Sequence, residues 1–496
     1  MSRNHKTPFI AKRLPWLMLS LLGVMGTFPV TPQTALGQFG EEPSAKQDSV
    51  AEDQAAVVAK TVYEQNKRQY ANNPNFLVLP GILADRTAKT IRIWGRATSL
   101  TYGDPVEFFL IPADSGKDYE ALFVGFVKPS DVHRALEFIG MKAGRSVDFR
   151  ANHWWPKGER VLMSAEWNQP ASKDAPGPSK MQRVRVEELV IDVQTRQPLP
   201  QTGLVFTGSY RIQSEVPDRK DLYAADAVDP RSIASDFNEA TSVLDVPRLA
   251  IKGEVYGTQK LNPAYRFSAG QSVQLVMEPE YKDGRSRVRD LRLQVSIPAG
   301  NAAAGIRAAR FTLTDEKGKL VGDGNTLVHL LAAFSKITEA GQDPFVTVDA
   351  DGALALGQVR EFYKLLMAMD TENGIRVEAP PEGQLFYRAF FPKPEWRDRS
   401  KRLGRPWELH ATSQNGVPAA TLILPADEID DNGGLGDLKF EVKTGEDVAR
   451  ILAEKSDRWS QMVYVFAPSD MTYASLLSLV RPGMKTHPTL YVFPPN

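Results

Sequence analysis

The chain has 496 residues, 42% of them apolar, enough to build the cores of two to four domains of ordinary size. Its 60 Lys and Arg balance 60 Asp and Glu, which argues against a dedicated nucleic-acid binder, a class marked by a basic excess. With no cysteine, disulfides, iron–sulfur clusters, thiolate zinc sites and Cys nucleophiles are excluded.

The first residues carry the pattern of an export signal. Arg3, Lys6, Lys12 and Arg13 precede an apolar run from Leu14 to Val30, and Ala35 and Gly37 supply the small residues a signal peptidase reads. The expectation is a signal peptide over residues 1–37, cleaved before Gln38. It implies export to the periplasm or cell envelope with no stable membrane span afterwards. Pro15 and Pro29 leave the apolar run marginal for a span, and an uncleaved anchor is the alternative.

Residues 38–75 read as a polar linker with one helix near 51–70. From Phe76 the texture changes to strands, at 76–79, 91–94 and 108–111. The stretch 120–144 is the centre of this half. Leu122, Phe123, Val124, Phe126 and Val127 make an apolar run of strand length, and Lys128-Pro129-Ser130-Asp131 breaks it. Val132, Ala135, Leu136 and Ile139 then recur at helical spacing, with Pro129 suited to the first turn and Gly140 or Gly144 to the end. Strand-like runs continue, through a proline-rich excursion at 168–180, to 291–297. The segment 298–305 reads as a linker.

The last third contains an internal echo. Phe345-Val346-Thr347-Val348 and Met462-Val463-Tyr464-Val465 align without a gap from strand to helix start, within a unit of strand, helix, strand, helix and strand. Repeats at this distance are domain duplications. The expected units are 306–379 and 408–496, with a basic linker at 380–407. Asn415-Gly416 between alternating runs signals a hairpin. The expected fold class is α+β: a β-rich N-terminal domain over 76–297 with a strand-turn-helix centre, then two small α+β repeats paired within the chain.

Several motifs in order resemble the YdjY-like family of exported bacterial domains over about residues 80–280. They are Lys117-Asp118-Tyr119-Glu120, Lys128-Pro129-Ser130-Asp131-Val132-His133, Phe206-Thr207-Gly208-Ser209, Leu222-Tyr223-Ala224-Ala225-Asp226 and Leu244-Asp245-Val246-Pro247. The chain departs from that pattern at Tyr119, where histidine is usual, at Ala121, where serine is expected, and at Leu204, often tryptophan. The resemblance implies no particular reaction. Val346-Thr347-Val348-Asp349-Ala350-Asp351 with Gly357-Gln358-Val359, and Val465-Phe466-Ala467-Pro468-Ser469 with Tyr473, are similar to the periplasmic domain of the ExbD/TolR family, twice over. That family's transmembrane helix and proton-carrying aspartate have no counterpart here. Its domains tend to pair, which a tandem copy can do within one chain.

Candidate binding residues are Glu120, His133, His153, Trp154, Trp155, Ser209, Tyr223 and Asp226. His133, on the first helical turn, is a candidate ligand or base with Glu120 as partner; a capping or surface contact is the bland alternative. His153-Trp154-Trp155-Pro156 offers rings to stack on a sugar or peptide, or else covers a core edge. Ser209 lacks the strand-turn-helix context of a G-x-S-x-G nucleophile. Lys393, Arg397, Arg399, Lys401, Arg402 and Arg405, with Trp396 and Trp407, form a candidate contact for an anionic surface. Asp349-Ala350-Asp351-Gly352 and the acidic run 427–433 fall short of a calcium loop, and zinc-protease, P-loop and dinucleotide fingerprints are absent. No catalytic residue, metal site or cofactor is expected. The leading expectation is a non-catalytic, monomeric binding or scaffold protein whose partner is an envelope protein or wall polymer. The alternatives are an envelope hydrolase using Glu120, His133 and the tryptophan loop, and a subunit of an envelope transport or assembly complex.

Overall fold

Alternation along Thr90–Ala97 buries Ile91, Ile93 and Ala97 on one face, and this strand closes a barrel. It pairs antiparallel with Ser272–Pro279 on one side and with Ala121–Gly125 on the other. Between them the sheet runs through Arg160–Gln169, Leu204–Phe206, Leu244–Asp245, Ala234–Ser235 and Phe108–Pro112, giving eight strands in a closed ring. Closure removes the exposed edges that an open sheet must manage. The computed structural model describes residues 45–169, 180–213, 221–298, 306, 308–324, 326–372, 374–402, 404–414, 417–425, 436–455 and 461–493. The signal segment, most of the proline-rich excursion, residues 299–305, Asn415-Gly416 and the acidic run 427–433 lie outside those residues.

The helix Pro129–Phe138 starts where the sequence puts it, with Pro129 in its first turn. Val132, Ala135, Leu136 and Ile139 are buried against the barrel core, beside Phe108, Phe123 and Phe206. Gly140 leaves the helix at φ +94°, a conformation that glycine adopts without strain. A longer helix, Ala45–Gln69, precedes the first strands, with Ala55 and Ala59 buried. No helix among the described residues is long and apolar enough to cross a membrane.

The C-terminal third holds two five-stranded mixed sheets of identical order. In the first, Val288–Ser296 is central: it pairs antiparallel with Arg310–Asp315 and parallel with Asp343–Ala350, flanked by Leu320–Gly324 and Arg376–Val377. In the second, Trp407–Gln414 takes that place between Val417–Leu424 and Met462–Phe466, flanked by Leu438–Val442 and Thr489–Phe493. The strand at 291–297, read from sequence as the end of the first half, is therefore the middle of the next sheet. Its Leu291, Leu293 and Val295 are buried there. Likewise Trp407–Gln414 begins at the end of the expected basic linker.

The loops that open the second helix of each unit bond to one another. Leu356 N donates to Met471 O at 2.9 Å and Tyr473 N to Leu354 O at 2.7 Å; Gly357 N reaches Ser469 O at 2.9 Å and Ala474 N reaches Gly352 O at 2.8 Å. Ala355 and Thr472 sit opposite each other at the middle of these four bonds.

Candidate functional site

Four places hold the predicted residues, and the structure keeps them separate. The first is at the start of the central helix. His133 Nδ1 lies 3.0 Å from the Tyr223 hydroxyl and 3.1 Å from Gly208 O, while Tyr223 donates to that same carbonyl at 2.8 Å. Which ring nitrogen carries the proton decides whether Nδ1 donates or accepts in this network. Nε2 faces Glu137 one turn on, at 3.3 Å. Gly208 has φ +82°, and a Cβ there would come within 2.9 Å of the His133 ring and 2.6 Å of Ala143 Cβ, so the close approach requires glycine. Asp226 Oδ1 accepts from Ser130 N at 2.9 Å and thereby caps the first turn of the helix from ninety-six residues away. Ser209, at φ +54°, donates its hydroxyl to Thr241 O at 2.7 Å. Burial pushes the Tyr223 phenol well up, so it stays a neutral donor. Every polar group named here is held by another, which suits a clamp between the helix and the strand Leu204–Phe206.

The second place holds Glu120, which does not partner His133. Glu120 is buried beside Glu107, whose carboxylate takes Lys252 Nζ at 2.7 Å. Burial, and then the charge of Glu107, raise the Glu120 carboxyl above its ordinary range. Deeper in the same end of the barrel Asp236 is fully buried, and burial pushes its carboxyl up to about 8 despite the neighbouring Arg248. Asp245 is raised well above the usual range by burial, although Asn238 Nδ2 and Val246 N donate to it at 3.2 and 2.7 Å. Among the described residues no cluster of His, Cys, Asp or Glu has the arrangement of a metal site. Glu107, Asp236, Lys252 and Arg248 were not singled out from sequence; the available signal was a charged residue inside an apolar run, as in Val106-Glu107-Phe108.

The third place is the tryptophan loop, which faces inward to the first C-terminal sheet. Trp155 donates to Asp370 Oδ1 at 2.8 Å, and Trp154 lies under the Arg388 guanidinium at 4.2 Å and parallel to Phe386. Around it Arg160 pairs with Asp343 at 2.6 Å, Lys157 with Asp290 at 2.5 Å and Arg145 with Glu378 at 2.5 Å. His153 pairs main chain with Asp148, and burial lowers its imidazole pKa. These tryptophans join the barrel to the sheet.

The basic segment folds back over the second sheet. Arg399 grips Glu408 with two bonds of 2.8 and 2.9 Å and reaches Asp437 at 3.0 Å; buried Arg402 also bonds Glu408. Burial alone would raise the Glu408 carboxyl, but bonds from His410, Arg399 and Arg402 outweigh it and hold it well below the usual range. Arg405 donates to Pro425 O at 2.8 Å, while Lys401 lies 3.8 Å from Asp398 and Lys393 sits over Trp396. Much of the strip is thus used in packing.

An eight-stranded barrel with a strand-turn-helix clamped by His133, Tyr223 and Gly208 defines the class of this first domain. Residues 82–224 match the family model of the YdjY domain. The matched span holds the central helix and ends at the residue after Tyr223. No curated protein matches the chain.

Proposed function

We propose that the chain is an exported, non-catalytic binding or scaffold protein of the bacterial cell envelope. Residues 1–37 direct export and are removed, and the mature, monomeric chain works in the periplasm or envelope against an envelope protein or wall polymer. The two C-terminal sheets are tandem copies of an ExbD/TolR-like unit, paired about a pseudo-two-fold through Ala355 and Thr472. The observation that supports the reading is how the candidate groups are spent. His133, Ser209 and Tyr223 each bond a neighbouring group, Glu120 sits in a separate buried cluster, and Trp155 holds an internal interface. A hydrolase needs a nucleophile or water beside a base with room for substrate, and these groups do not converge on such a space.

The test uses the mature chain from Gln38 with purified wall sacculi. Co-sedimentation with no release of soluble wall fragments is expected. Steady release of fragments, lost on His133→Ala or Glu120→Gln, would overturn the reading in favour of an envelope hydrolase.

A further inference from the structure

Where the barrel meets the first C-terminal sheet, a tryptophan fills a slot made of a guanidinium and a ring. The Arg388 guanidinium lies 4.2 Å from the Trp154 ring centre, and Phe386 lies parallel to that ring. The second sheet has a slot of the same composition on the face opposite its helices. There the segment Pro394–Arg397 covers Tyr464 with Trp396, whose ring lies parallel at 6.0 Å. Beside this cover a cleft of about 560 Å³ remains, and Arg399, His410, Thr412, Phe466 and Phe493 help to line it. That size suits an organic group rather than a lone ion.

The hydrogen bonds of its cations are already made within the chain. Arg399 bonds Glu408 and Asp437, buried Arg402 bonds Glu408, and His410 Nε2 lies 3.0 Å from the same carboxylate. Such bonds use the edge of a guanidinium and leave its flat faces, which can stack on aromatic rings. Two neighbours already do so: Arg397 lies 5.5 Å from the Phe493 ring centre and Arg402 4.9 Å from that of Tyr464. Arg399, with 40% of its side chain exposed, has no such ring among the described residues. His410, Phe466 and Phe493 stack across adjacent strands, at 4.7 Å and 20° and then 5.0 Å and 16°. Side chains stand roughly perpendicular to a sheet, so stacked rings turn their hydrogen-bearing edges to the space above it. Those edges are the positive part of the ring quadrupole and prefer the face of another ring. The first copy holds Gln294 and Asp349 where the second pairs His410 with Phe466, so the ring row belongs to the second.

We propose that this cleft receives a tryptophan side chain of a partner protein. The incoming ring lies over the edges of the His410, Phe466 and Phe493 row and against the flat face of Arg399. Ring edges and a guanidinium face both favour the electron-rich face of an aromatic group, and among side chains indole offers the strongest such face. Indole is also what the chain itself places between Arg388 and Phe386. The assignment rests on the binding reading above and adds to it the chemistry of the partner.

The probe is N-acetyl-tryptophanamide, uncharged like a tryptophan within a chain. It is titrated with the full mature chain and followed by ligand-observed NMR, with N-acetyl-leucinamide as the apolar comparison. Saturable binding in the millimolar range or tighter is expected, and clearly weaker binding of the leucine compound. Arg399→Gln should weaken binding about two- to fivefold, the loss of one exposed cation–π contact. Thr412→Trp, at an exposed position of the cleft, should abolish it by filling the space from within the chain. Val328→Trp, exposed on the helix Leu327–Glu339, should leave it unchanged. A thermal melt shows whether Arg399→Gln folds; if it does not, Thr412→Trp decides. Indole that binds more tightly than the amide would make the occupant a small free compound and overturn the protein partner. A probe bound no better than the leucine compound, or binding that Thr412→Trp or a folded Arg399→Gln leaves intact, would overturn the assignment. The sacculus test of the binding reading is independent of either result.

Discussion

Trp155 and Asp370, 215 residues apart, share a buried hydrogen bond of 2.8 Å from the indole N–H to Oδ1. Asp370 also accepts from the Tyr387 hydroxyl at 2.6 Å and Val377 N at 3.1 Å, with Arg388 at 3.4 Å. One carboxylate thus fastens the barrel loop, a helix and the following strand together. Asp370→Ala strands several buried donors, so it should cost about 3–5 kcal/mol, the range for breaking a buried ionic network. Trp155→Phe removes one donor and keeps a large ring, and should cost about 1 kcal/mol for the hydrogen bond plus the lost packing. Urea unfolding of the two variants measures both; equal, small losses would mean that the interface is held elsewhere.

Gly208 and Gly140 both have positive φ, yet they differ in what surrounds them. A Cβ on Gly208 would collide with Ala143 and the His133 ring, whereas nothing lies within 4 Å of one on Gly140. Gly208→Ala should therefore destabilise by more than the ~1 kcal/mol of the backbone conformation alone, and Gly140→Ala by about that amount. Leu136→Ala, beneath the same helix and fully buried, should cost about 2–5 kcal/mol. Thermal melts of the three variants give the ranking. A harmless Gly208→Ala would remove the clamp from the account of this motif.

Stability should fall between about pH 4 and pH 8 because of the buried acids. Asp236 has its folded pKa near 8 and its ordinary value at 3.8, so within that window the folded state holds a proton that the unfolded state does not. The charged groups facing it are Arg248, Glu107 and Lys252. Raised Asp245 acts in the same direction, whereas Glu408, held low, contributes stability that is lost only below the ordinary carboxylate range. One such proton gives a slope of at most about 1.4 kcal/mol per pH unit. Asp236→Asn should flatten the profile. If wild type and variant run parallel between pH 5 and 8, Asp236 is ionised throughout and the buried-acid account fails.

The local elements were legible and their partners were not. Pro129, Val132, Leu136 and Ile139 announce a helix because its cap and period are local facts. The alternating run Leu291, Leu293, Val295 announces a strand equally well, but nothing in it says which sheet it enters. Residues 298–305, rich in Gly and Ala, suggest a break, and the strand that precedes them pairs with Asp343–Ala350 beyond it. The site residues follow the same division. Tyr223 and His133 were found as motif members, but their meeting across ninety residues is a tertiary fact. The tryptophans were read either as a ligand platform or as cover for a core edge, because exposed and buried loops look alike in sequence; Asp370, the partner of Trp155, carries no local sign of being buried. Asp236 and Glu107 passed unnoticed because the cost of burying an acid depends on surroundings that the sequence does not display.

The absence of cysteine offers a clean test of the proposed pairing of the copies. Ala355 and Thr472 face each other in an antiparallel bridge, and the bonds that flank them, Leu356 N to Met471 O and Tyr473 N to Leu354 O, make them a non-hydrogen-bonded pair. Such pairs bring Cα atoms to about 4.5 Å, within the range that a disulfide spans. Ala355→Cys with Thr472→Cys should therefore oxidise within one chain, read as a mobility shift on a non-reducing gel with no dimer band. Because the loop it closes is long, the cross-link should add up to about 5 kcal/mol in the chain-entropy picture, seen as a higher unfolding midpoint that reductant abolishes. A second change probes the same contact without chemistry. Gly352 faces Ala474, and an added Cβ would lie 2.9 Å from the Ala474 Cβ, so Gly352→Val should wedge the loops apart at about 1–3 kcal/mol. A double-cysteine chain that cross-links only between molecules would show that the copies pair in trans, and the monomeric reading would then give way to a dimer built on this bridge.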